Sequence, residues 1–113
     1  PRLVATPSLL VFPSTTIVEH PDFVSILVAH PRGHDETEFE HVMLVPADRV
    51  GDTEHWTRNW KLIDGQVFQA EDQWICEQIH RGIEAGTTDH LLFGGLEHAI
   101  AWFHEALAAR TAT

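Results

Sequence analysis

A single cysteine, Cys76, stands among 113 residues. One thiol excludes an internal disulfide, and it excludes a cysteine-built zinc or iron–sulfur cage made from this chain alone. Bases are scarce as well: seven Lys and Arg face seventeen Asp and Glu, for a formal charge of −10. Such a surface repels phosphate backbones and anionic headgroups, so no nucleic acid and no membrane partner is expected. No stretch approaches the ~18 consecutive apolar residues of a membrane span, and the first residues do not read as a secretory signal. A cytoplasmic location is the expectation. Also missing are a Gly-rich phosphate loop, H-E-x-x-H and G-x-S-x-G. No internal repeat or linker divides the chain.

What is present is a globular composition, with 43% hydrophobic and 21% charged residues. The length suits one domain with one modest core. Residues 8 to 46 carry four short β-branched or alternating segments: Ser8 to Phe12, Thr15 to Glu19, Asp22 to His30 and Glu38 to Val45. Pro13-Ser14, His20-Pro21 and the stretch from Pro31 to Glu36 punctuate them, so an antiparallel meander joined by hairpins is expected. In the third segment Phe23, Ser25, Leu27 and Ala29 share one face, while Val24, Ile26, Val28 and His30 share the other. Both faces are largely apolar, which predicts cover on both sides, by helix on one and by a cavity or a partner on the other.

After Pro46 the period changes. Thr53 is placed to cap a helix that carries Trp56, Trp60 and Ile63, with Val67 beyond. Gly65 predicts a weak point near Asp64-Gly65, and Gly86 a C-terminal stop. A loop over 87–95 precedes a last helix with a stripe of Leu96, Ile100, Phe103 and Leu107. The order of elements makes the chain α+β: an antiparallel meander, a long interrupted helix and a terminal helix.

The second helical stretch contains an anomaly. At about 100° per residue Phe68, Ile75, Ile79 and Ile83 fall on one narrow arc, and Asp72 projects into its middle. A carboxylate buried in such a face protonates, pairs with a cation, caps a loop N–H, meets a distant His or binds a metal; the alternative is a helix whose phase differs from this wheel. Arg81 lies on the opposite side with Glu77 and Gln73, so a partner must come from elsewhere in the fold. Cys76, at the edge of the arc, reads as a small buried thiol. His80 follows it at i+4 but lies round toward the polar side, and no oxyanion donors accompany the pair. Nine histidines supply possible metal donors. The one local cluster, His30-Pro-Arg-Gly-His34 with Asp35 and His41, contains turn residues that favour a solvent hairpin over a metal site.

The run Glu71-Asp72-x-x-Ile75-Cys76-Glu77-x-x-His80-Arg81-Gly82-Ile83 is followed by Gly86, Leu91-Leu-Phe-Gly94 and Glu97-x-x-Ile100-x-x-Phe103-His104. Upstream stand Pro7-Ser-Leu-Leu-Val-Phe-Pro13, His30-Pro with Asp35-Glu-Thr37, and Val42-Met-Leu-Val-Pro46. This series resembles the C-terminal part of the catalytic domain of Rieske non-haem iron oxygenases, the alpha subunits of aromatic ring-hydroxylating dioxygenases. The resemblance spans nearly all of residues 1–113.

The resemblance implies a partial helix-grip fold of the START/Bet v 1-like kind, an antiparallel sheet around a long C-terminal helix. It implies that Asp72 is the carboxylate of a two-histidine, one-carboxylate Fe(II) site, and that Phe68 and, less directly, Ile75 line the substrate pocket. It implies an aromatic small-molecule substrate, O2, a ferredoxin or reductase as electron donor, and a homo-oligomer. Where the family carries Gln, this chain has His80. The Rieske ligand motifs C-x-H and C-x-x-H, which hold the family's [2Fe-2S] cluster, are absent from this chain, as is the helix motif supplying both iron histidines. Residues 1–113 are therefore expected to be a portion of an oxygenase, not competent alone. The alternatives are a non-enzymatic helix-grip module for hydrophobic ligands and an oligomerising remnant.

Overall fold

The computed structural model describes residues 6–86 and 90–112. The chain falls into two compact units, residues 1–60 and 61–113.

The first unit holds four strands, β1 (Ser8–Val11), β2 (Thr15–Glu19), β3 (Val24–Pro31) and β4 (Thr37–Leu44). They form one sheet in the order β1-β2-β3-β4, every neighbour antiparallel. The meander expected from short turn-punctuated segments is therefore present, as is the α+β order. The β1–β2 turn carries a cis Phe12-Pro13 bond. The β3–β4 hairpin closes through Arg32 N–H and Gly33 N–H, which both donate to Glu36 O at 2.9 and 3.2 Å.

Alternation along β3 sorts its residues. Phe23, Ser25 and Leu27 are buried, whereas Val24, Ile26 and Val28 stay half-exposed. The register sets Leu27 against His41 and Ser25 against Met43, so these side chains share the covered face. On the other face Ile17, Ile26 and Val42 lie in one cross-strand row, flanked by exposed Leu9 and Leu44. Of the cover expected on the two sides of β3, the described residues supply that on one face.

That cover is α1 (Thr53–Trp60), which follows a 3-10 turn at Ala47–Arg49. Asp52 caps it, not Thr53: Asp52 Oδ1 accepts from the His55 N–H at 3.3 Å, three residues on. Trp56, only 8% exposed, meets Phe23 edge to face with ring centroids 6.5 Å apart. Its indole N–H donates to Arg49 O at 2.7 Å. Phe23, Leu27 and Trp56 are the buried hydrophobic side chains of the described residues.

At the weak point expected near Asp64-Gly65 the helix does not end but changes its winding. It widens to a π-helix over Lys61–Gln73 and tightens again into α2 (Trp74–Glu84). The i→i+5 bonding of a π-helix absorbs the weak point without ending the helix. Gly86 does act as the stop, at φ 67, with its N–H donating to Ile83 O at 2.9 Å. Residues 87–89 of the expected loop lie outside the described residues. The last helix, α3 (His98–Thr111), starts after Leu96, which is 95% exposed and outside the stripe assigned to it. Ile100, Phe103 and Leu107 do lie on α3, beside Ala106.

Candidate functional site

Asp72 stands on the last turn of the π-wound segment, two residues before α2 begins. The wheel drawn at one constant angle therefore holds from Trp74 onward; upstream, the wider winding changes the phase of Phe68 relative to the arc. Asp72 is exposed, Phe68 half-buried and Ile75 exposed. The apolar arc itself is bare: Ile75, Ile79 and Ile83 are 46%, 52% and 48% exposed. Among the described residues nothing confines the Asp72 carboxylate in hydrocarbon, and nothing covers the apolar arc of α2.

The polar side of α2 is laced with spaced pairs. Arg81 lies 3.7 Å from Glu77, and His80 Nε2 lies 3.4 Å from Glu84 Oε1, outside hydrogen-bond alignment. Cys76 is exposed, which corrects the expectation of a buried thiol. It sits at the rim of an arc that has no lid among the described residues, so nothing desolvates it. In α3, His104 stacks on Phe93 of the preceding loop at 5.3 Å, and the Glu97 carboxylate accepts from Gly94 N–H.

The histidine-rich hairpin is a set of surface pairs. His30 bonds Glu40 at 3.2 Å, and Arg32 donates to Glu38 from Nε at 2.7 Å. His41 lies on the opposite face from His30, so the cluster read from sequence is split by the strand alternation. Among the described residues, no group of three or more His, Cys, Asp or Glu side chains is placed to hold a metal ion.

Sequence reasoning missed two polar constellations in the first unit. Ser25, 0% exposed, lies 3.1 Å from His41 Nε2, and His41 stacks flat on Trp60 at 4.5 Å and 9°. Ser25 was the one polar residue on an otherwise apolar strand face, which is the signal that could have identified it. The second is non-local. His55 Nε2 donates to Asp22 Oδ2 at 2.8 Å, Arg58 Nη2 donates to His55 Nδ1 at 3.3 Å, and Arg49 approaches Asp22 to 3.9 Å while lying over the Trp56 ring. Thirty-three residues separate Asp22 from His55, so spacing along the chain offered no clue.

No helix among the described residues is long and apolar enough to cross a membrane. Neither a curated protein nor a solved structure matches the chain. A family model described as the ring hydroxylating alpha subunit (catalytic domain) matches residues 3–113, almost the whole length. The chain belongs to the ring-hydroxylating alpha-subunit family, within its catalytic domain.

Proposed function

We propose that residues 1–113 are the C-terminal portion of the catalytic domain of an aromatic ring-hydroxylating Rieske-type oxygenase, with Asp72 as its carboxylate ligand to mononuclear Fe(II). The observation that carries this reading is the family match over residues 3–113 together with the Glu71-Asp72 run it contains. The bare arc of Ile75, Ile79 and Ile83 supports it, since an amphipathic helix of this kind is stabilised by packing that the described residues do not supply.

The donors present do not by themselves fit an iron centre, because one carboxylate is not a ligand set. The two histidines and the [2Fe-2S] cluster would come from outside this chain. The residues here have a narrower part: Asp72 would contribute the negative charge that partly neutralises the cation, and Phe68 and Ile75 would contribute apolar wall suited to an aromatic ring. O2 and a ferredoxin or reductase would serve the complete enzyme. The exposed isoleucines also favour self-association, a homo-oligomer that covers them.

The test is Asp72→Ala in the complete enzyme, with iron measured on the purified protein. Loss of bound iron is expected. Iron at wild-type occupancy would defeat the assignment of Asp72. A native polypeptide of about 40–50 kDa, the size of a two-domain chain, is expected from the same source.

A further inference from the structure

We infer that the β2–β3 turn is an acid-sensitive hook, holding α1 against the sheet while His20 is neutral and releasing it when His20 takes a proton. Two attachments tie α1 to this turn. His55 Nε2 donates to Asp22 Oδ2 at 2.8 Å, and Trp56 meets the Phe23 ring edge-on. His20 completes the hook. Its imidazole stacks on Phe23 with centroids 4.1 Å apart and planes 15° from parallel, and its backbone N–H donates to Phe23 O at 2.9 Å.

His20 Nε2 is shut off from solvent and has no hydrogen-bond partner among the described residues. A neutral imidazole tolerates this with an unused lone pair at Nε2. An imidazolium does not, since both its nitrogens are donors and one of them would be a buried, unpaired cationic N–H. The groups around it give little relief. Asp22, on the same turn, attracts the cation, but its carboxylate already serves His55 of α1 and lies 3.9 Å from Arg49. His41, from β4, also works against a charge on His20. Burial is the largest influence and holds the His20 imidazole below its ordinary 6.5, with Asp22 pulling the other way and His41 adding to the depression.

The sign follows. A histidine with a lowered value in the folded state binds fewer protons folded than unfolded, so its contribution is whole above the unfolded value and is lost as pH falls through the folded one.

Hydrogen exchange of the Thr53–Trp60 amides, read by mass spectrometry and corrected for intrinsic rates, tests this at about pH 7 and about pH 5.5, on either side of the ordinary imidazole value. In the wild-type chain protection of α1 should fall several-fold at the lower pH. In His20→Phe, which keeps the stack and removes the proton, it should not. An equal fall in both proteins overturns the inference. The titration of the His20 ring protons by NMR in the wild-type chain gives a second decision that needs no variant: a midpoint below 6.5 supports the hook, and one at or above 6.5 overturns it.

Discussion

Replacing Trp56 with alanine should remove a large fraction of the stability of the sheet unit. The indole is one of three buried hydrophobic side chains among the described residues, and it bridges Phe23, the Arg49 carbonyl and the Arg49 guanidinium at once. Truncating a buried aromatic to alanine costs about 3–5 kcal/mol in lost transfer energy and cavity. A domain of this size holds only about 5–15 kcal/mol in total. With a urea slope of about 1.5 kcal/mol/M, the unfolding midpoint should drop by about 2–3 M, read by far-UV circular dichroism. Trp56→Phe separates the contributions: it keeps most of the ring, loses the 2.7 Å bond to Arg49 O, and should cost about 1–2 kcal/mol. Val50→Ala, at an exposed position in the same unit, is the control and should stay within about 0.5 kcal/mol of wild type. If Trp56→Ala unfolds at the same urea concentration as Val50→Ala, the account of α1 as the cover of the sheet is wrong.

Ser25→Ala deletes the 3.1 Å bond to His41 at a fully buried position and should cost about 1 kcal/mol, seen as a fall of about 4–6 °C in the thermal midpoint. Gly65, inside the helical segment, and Gly86, just past the end of α2, should respond to alanine with opposite signs. Gly86→Ala forces a side chain into left-handed backbone at φ 67 and should destabilise by about 1–2 kcal/mol. Gly65→Ala, in a helical segment with open space around the added carbon, should stabilise by up to about 1 kcal/mol. Equal shifts in denaturation midpoint for the two would refute the assignment of Gly86 as the helix stop.

The strands were legible because each is bounded by turn residues and because alternation assigns its faces without knowledge of the partner. Ser25 beside Phe23 and Leu27 is read straight from period two. The helix boundaries were less accessible. Asp52 and Thr53 are both competent caps, and only backbone geometry selects Asp52. A change of winding from Lys61 leaves no mark in composition, so a wheel at fixed angle carried Phe68 and Asp72 onto the arc of Ile75, Ile79 and Ile83 without registering it.

By itself the sequence determined the antiparallel order, the Gly86 stop, which residues of β3 share a face and the family to which the run around Asp72 belongs. These depend on neighbours in the chain, or on motifs written along it. Only the tertiary structure decided that Asp72 and Cys76 are exposed, that Asp22 pairs with His55 across the fold, and that His41 separates from His30 to join Ser25 and Trp60. Burial and long-range pairing are properties of what lies across from a residue, and a one-dimensional pattern specifies only which side it is on.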